Sequence, residues 1–256
     1  MKHLLLIGLL GTSLWSVTAL EIVESVNARD DGTAVSRNLK MELTDKRGKT
    51  RTQETLSYRK YYGEDKKSVI FYQKPKRLKG TGFLTYDYAQ KDDEQWLYLP
   101  ALRKVRRVSA SDRGDWFLGT DFSYEDIKKE TKISKDDYDF KLLGEEELDG
   151  HTVYKMESTA KTADIAKELG YSKLVSWVDK EIFINRKVEF YDPRGELLKT
   201  LQNHEITKVD GIWTIHHMEM TNQQNGHLSH FYFSNVKYGD AIADRLFTQQ
   251  ALKKGH

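Results

Sequence analysis

The chain has 256 residues, with 41 Lys and Arg against 39 Asp and Glu for a formal net charge of +2, and no cysteine. The absence of cysteine excludes disulfide scaffolds, cysteine-ligated zinc ribbons and thiol catalysis, and the near balance of charge speaks against a nucleic-acid partner. With 5 Trp, 14 Tyr and 10 Phe it is too aromatic for a disordered chain, and its length suits one large β barrel or sandwich.

Residues 1–19 read as a secretory leader. Lys2 and His3 form a short basic start, the run from Leu4 to Val17 is mostly apolar, and Val17 and Ala19 hold the positions three and one before a cut ahead of Leu20. That run is too short to span a bilayer well. The expectation is a mature chain of residues 20–256, soluble after cleavage near Ala19 and without a transmembrane segment. A disulfide-free protein in an oxidising compartment fits a bacterial periplasm better than a eukaryotic extracellular space.

A short amphipathic helix is predicted over Glu21 to Asp30, with Ile22, Val23 and Val26 on one face and Asp31-Gly32 as its stop. Alternation then takes over. Leu39 to Thr44 exchanges apolar and polar residues strictly, Lys46-Arg47-Gly48-Lys49 turns the chain, and Arg51 to Tyr62 returns with Leu56, Tyr58 and Tyr62 on one side. Further strands are predicted over Val69 to Lys74, Phe83 to Gln90, Trp96 to Pro100, Arg103 to Val108, Phe140 to Leu148 and Val153 to Ser158. A strand carrying Ile182, Ile184, Val188 and Phe190 stops at Asp192-Pro193-Arg194-Gly195; Glu196 to Val209, Trp213 to Thr221 and His227 to Tyr238 follow, joined by the hairpin pairs Asp210-Gly211 and Asn225-Gly226. Helices are predicted over Tyr124 to Thr131, near Ala163 to Leu169, and from Ala243 to Leu252. Eleven to thirteen strands on turns this short require antiparallel neighbours, and a sheet that wide must curl. The predicted fold is therefore mainly β, a curled antiparallel sheet forming an open half-barrel, with helices plugging or lidding its concave face. A single domain over 20–256 follows; two halves meeting near Gly150 is the alternative.

The least generic stretch runs from Gln95 to Glu130. Trp96, Tyr98 and Leu99 precede a basic strand, and a loop rich in Gly and Asp then carries Trp116, Phe117, Leu118 and Phe122. Apolar residues in such a loop form a lid, a partner contact or a satellite of the core. Ser123-Tyr124-Glu125-Asp126 has the shape of a capping box. At strand spacing Arg103 and Arg107 share one face, where they either defend an edge or reach an anionic headgroup or acidic partner.

The sequences WLYLPALRKVRR at 96–107 and GDWFLGTDFSYEDI at 114–127, with Trp177-Val178-Asp179-Lys180 as a strand start and the turn Val209-Asp210-Gly211-Ile212-Trp213, resemble the LolA-like outer-membrane lipoprotein-sorting family. The resemblance implies a half-open barrel wrapped on helices, with an apolar cavity that carries an acyl chain or other lipid through the periplasm, and no enzymatic activity. Its branch resembles members found near transporters of the resistance-nodulation-division type, which makes an inner-membrane transporter of that type and an outer-membrane acceptor the implied partners. Candidate ligand contacts are Trp96, Tyr98, Leu99, Trp116, Phe117, Leu118, Phe122 and Trp177.

The sequence contains no G-x-S-x-G elbow, no G-x-x-x-x-G-K-[ST] loop and no H-E-x-x-H, so no catalytic residue and no cofactor is expected. His204, His216, His217, His227 and His230 gather in the C-terminal meander, but a metal site there would need one histidine from each of several strands, and none is predicted. The function expected is a periplasmic lipid, lipoprotein or hydrophobic-molecule carrier; the alternative is an envelope interaction or regulatory module whose barrel is filled, as in the related RseB-type fold.

Overall fold

The computed structural model describes residues 17–239 and 241–255; all but the last three residues of the predicted leader lie outside them. Helix α1 (Ala19–Ala28) starts two residues earlier than expected because Thr18 and Glu21 form a capping box. The Thr18 hydroxyl accepts from the Glu21 amide at 3.2 Å, and the Glu21 carboxylate accepts from the Thr18 amide at 2.7 Å. The predicted cut after Ala19 falls inside this first turn. Ile22, Val23 and Val26 pack against Met156 and Val178, the face that their spacing predicts.

Thirteen strands make one sheet: β1 (Ala34–Thr44), β2 (Thr50–Tyr62), β3 (Asp65–Lys74), β4 (Gly82–Asp87), β5 (Glu94–Leu99), β6 (Lys104–Val108), β7 (Tyr138–Leu148), β8 (His151–Ala160), β9 (Lys173–Asp179), β10 (Asn185–Tyr191), β11 (Leu197–Val209), β12 (Ile212–Asn222) and β13 (Leu228–Tyr238). Their order is β6-β5-β4-β3-β2-β1-β13-β12-β11-β10-β9-β8-β7, with every neighbouring pair antiparallel. The sheet curls without closing, as predicted. This order has one consequence for the site. The chain reaches one edge at β6 and resumes at the opposite edge with β7, so residues 109–137 must cross the trough, carrying helix α2 (Tyr124–Lys129) with them.

Three local predictions change. The helix expected from Ala243 to Leu252 is divided into a 3-10 turn at Asp244–Leu246 and an α-helix at Gln249–Lys254. Trp177-Val178-Asp179 ends β9 instead of starting a strand, and Ile182 and Ile184 lie in the turn before β10. Asp179 holds that turn by accepting from the amides of Glu181 and Ile182 at 2.8 and 3.1 Å. Arg103 precedes its strand in a left-handed conformation that ends a short 3-10 turn, so it does not alternate with Arg107.

Both faces of the sheet are covered in places. Inside lies the main core, with Leu39, Met41, Leu43, Tyr72, Phe83, Leu97, Phe231 and Phe233. Outside, helix α4 (Gln249–Lys254) and the short 3-10 turn before it cover Val69, Phe71, Leu84 and Trp96 with Ile242, Phe247 and Leu252. Gly82 allows that approach, since a Cβ there would meet Leu252 Cδ2 at 2.7 Å. Gly114 does the same for helix α3 (Ala163–Leu169), whose last carbonyls would lie 2.7 and 2.8 Å from its Cβ.

Candidate functional site

Residues 115–131 form a plug in the trough. Its Ser123 caps α2, accepting from the Asp126 amide at 3.0 Å while the Asp126 carboxylate accepts from the Ser123 amide at 2.7 Å. Phe117 is fully buried and meets Phe83 and Tyr124 at ring distances of 5.1 and 5.6 Å; Phe122 stacks on Phe231 at 4.2 Å.

Polar groups pin the plug to the sheet. Asp121 accepts from the Ser229 hydroxyl at 2.7 Å and the Asn222 amide at 3.3 Å, and pairs closely with His227. Lys199 of β11 has 0% of its side chain exposed; it donates to Asp126 at 2.6 Å and to the Asp121 carbonyl at 2.8 Å, with the Trp116, Tyr171 and Phe190 rings each 4.9 Å away. Burial lowers its pKa, and the Asp126 carboxylate opposes that shift.

Next to the plug the trough keeps a cavity of about 200 Å³. Leu39, Val188, Leu201, Met218, Met220, Phe231 and Phe233 line it from the sheet, with Phe122 and Ile127 from the plug and Leu169 from α3. Ligand pockets run to about 300–1,000 Å³, so a long acyl chain requires the lining to yield.

Charge gathers at the other end of the cavity. Arg37, Arg59 and Lys132 share two carboxylates, Asp31 and Glu130, and Arg29 lies beside them. Arg37 pairs with Glu130 at 2.7 Å, Arg59 with Asp31 at 2.6 Å and Glu130 at 3.4 Å, and Lys132 with Asp31 at 3.5 Å. Among the described residues Arg29 donates only to neutral oxygens, the Trp213 carbonyl at 3.1 Å and the Thr131 hydroxyl at 3.0 Å being the firmest. Its Nε and that of Arg59 are buried without a hydrogen-bond partner. Burial lowers the pKa of Arg29 and Lys132 despite the pull of Asp31, whereas at Arg59 the same burial is outweighed by the Glu130 and Asp31 charges, which raise it. Burial also pushes Glu130 upward, but the Arg37 and Arg59 charges outweigh it and hold its carboxyl at about 2.

The residues anticipated from sequence scatter around this site. Phe122 lines the cavity, whereas Leu99, Phe117 and Leu118 pack in the inner core beside it. Trp96 and Tyr98 sit on the outer face with α4, and Trp177 lies on the outer face of β9 with Val153 and Val175, its indole donating to Glu146. Trp116 is 41% exposed; Arg103 and Arg107 are exposed, Arg107 3.6 Å from Glu94. The charged mouth was missed. Its signal is the inward stripe of β2, where Gln53, Thr55, Ser57 and Arg59 are all buried although Leu56 and Tyr58 mark the apparent dry side.

A family model described as an uncharacterized protein matches residues 64–254. A domain from Vibrio parahaemolyticus, named for outer membrane lipoprotein sorting, is 32% identical over 92% of this chain and 98% of its own, with a TM-score of 0.83. The chain belongs to the outer-membrane lipoprotein-sorting family of that domain. A DUF1329 family protein from Desulfovibrio piger is 31% identical over 91% of this chain and 97% of its own, again with a TM-score of 0.83. A LolA superfamily protein from Nitrosomonas europaea, at 23% identity and a TM-score of 0.69 over 92% of this chain and 99% of its own, shares the fold. No curated protein matches this LolA-like chain. Among its described residues no helix is long and apolar enough to cross a membrane.

Proposed function

We propose that this LolA-like protein is a periplasmic carrier for an amphiphile with an acidic head, bound with its apolar chain in the trough and its head at the Arg29–Arg37–Arg59–Lys132 mouth. The observation that carries this reading is the continuity of an apolar cavity with a mouth where Arg37, Arg59 and Lys132 share two carboxylates and Arg29 bonds to neutral oxygens beside them. An acidic head would satisfy buried guanidinium groups through charge-assisted bonds, and apolar burial contributes roughly 25 cal/mol per Å² of chain. The sorting role in the name of the Vibrio domain supports transfer of a lipid or lipoprotein acyl chain towards the outer membrane. An inner-membrane transporter of the resistance-nodulation-division type as donor and an outer-membrane acceptor complete the reading, with no catalytic step.

The test is native mass spectrometry of protein purified from its own envelope, followed by lipid extraction. An acidic lipid at near one-to-one occupancy, lost in Leu201→Glu and depleted in Arg37→Gln, is the expected result. An empty protein that also ignores added acidic lipids would sink the carrier reading. The small cavity and pinned plug then favour a filled barrel whose surface binds an envelope protein, a reading that stoichiometric capture of such a protein would support.

A further inference from the structure

The strands that line the cavity carry a second group of side chains on their outer face. In β11, β12 and β13, His204 lies opposite His217, His217 opposite Tyr232, and Glu219 opposite His230. Because side chains alternate along a strand, these residues face away from Asn203, Met218, Met220 and Phe231. His217 of the middle strand therefore sits between His204 and His230, with Glu219 beside them.

The donor atoms are close. His217 Nε2 lies 2.9 Å from His230 Nδ1, and Glu219 Oε2 lies 3.9 Å from His204 Nε2 and 3.8 Å from His230 Nδ1. The donors of His217, Glu219 and His230 all fall within 4.8 Å of one another. The rings are held in a ladder, His204 to His217 at 4.9 Å and His217 to His230 at 5.1 Å, with Tyr232 stacked on His217 at 4.5 Å. A tetrahedral zinc site with bonds of about 2.0–2.1 Å places its donors about 3.3 Å apart, inside the observed spread. Small side-chain rotations suffice to converge His217, Glu219 and His230; His204 lies outside that group of three and approaches it through Glu219.

A further observation points to a ligand: His204 Nε2 is buried with no hydrogen-bond partner, an omission that usually costs stability. The side chains of His204 and Glu219 are 40% and 28% exposed, which leaves an entry path from solvent.

We infer that His204, Glu219, His217 and His230 form a binding site for a borderline divalent transition metal of the zinc type, clamping β11, β12 and β13 together on the outer face. Three imidazoles and one carboxylate suit zinc, copper or nickel and disfavour magnesium or calcium, which take oxygen ligands. The site stands independently of what the cavity carries.

The experiment uses the mature chain without an affinity tag, stripped with a chelator and titrated with Zn²⁺ against a chromophoric competitor. One Zn²⁺ per chain is expected, with affinity falling roughly tenfold or more in both His217→Gln and Glu219→Gln and unchanged in His216→Gln, which alters the neighbouring position on the opposite face. X-ray absorption of the zinc complex should show scattering from several imidazoles. Thermal unfolding with and without Zn²⁺ separates a folding defect from a lost ligand, because a ligand change removes the zinc-induced rise in Tm while leaving the chelator-treated Tm near that of the parent. Absence of binding, or equal affinity in the parent and both site variants, would overturn the assignment.

Discussion

The two ends of the trough treat buried charge in opposite ways. At the plugged end Lys199 meets Asp126 and a carbonyl, Asp126 also accepts from the Tyr171 hydroxyl at 3.0 Å, and Asp121 has Ser229, Asn222 and His227. At the mouth Arg29 reaches no carboxylate within salt-bridge distance among the described residues, and two guanidinium Nε atoms have no acceptor there. Both ends lie under the same strands, so burial alone does not explain the difference. A network with a partner for each charge holds a structure in place, whereas a surplus of one sign leaves room for a ligand of the other.

The largest effect should come from breaking the closed end. Lys199→Ala leaves Asp126 buried without its cation and should cost about 3–5 kcal/mol in urea unfolding, as removal of one partner of a buried pair does. Phe117→Ala should cost about as much, roughly 3–5 kcal/mol, because it empties a fully buried ring site. Its neighbour Trp116, 41% exposed, should cost no more than about 1 kcal/mol on the same change. Equal losses at 116 and 117 would contradict the plug geometry.

Acid sharpens the contrast. With its pKa held at about 2 against an ordinary value of 4.5, Glu130 stabilises the fold fully above the ordinary value and progressively less as pH falls towards 2. Unfolding midpoints should therefore drop between about pH 4.5 and 2, with a shallower drop in Glu130→Gln. Arg37→Gln removes the 2.7 Å partner of buried Glu130 and should cost roughly 3 kcal/mol. The smallest stability change, about 1 kcal/mol or less, is expected for Lys132→Gln, whose partner Asp31 lies 3.5 Å away. In a fluorescent fatty-acid displacement assay both should still weaken binding of the anionic probe more than that of an uncharged analogue. Equal weakening of the two probes would dismiss the mouth as a headgroup site.

Strands and turns were the most legible part of the chain. Helix α3 spans the predicted Ala163 to Leu169, and the Ser123 capping box forms as its residues suggest. The charged mouth could not be read in advance because Arg29, Arg37, Arg59, Glu130 and Lys132 come from α1's end, β1, β2 and the crossing segment, and no local spacing links them. The histidine group was half legible: the need for one residue from each of several strands was plain, but which histidines meet depends on strand register.

Period-two alternation and turn chemistry determined by themselves that this protein is a wide antiparallel sheet that must curl. They divided each strand into two faces without saying which face is concave. On β2 and β5 the tertiary structure decided that question against the apolar cue: α4 covers Trp96 and the residues beside it from outside, while Arg59 turns into the trough to meet Asp31 and Glu130. The reason is physical. Alternation is a local property of the backbone, whereas inside and outside are fixed by which segments later cover each face and by the partners those segments bring.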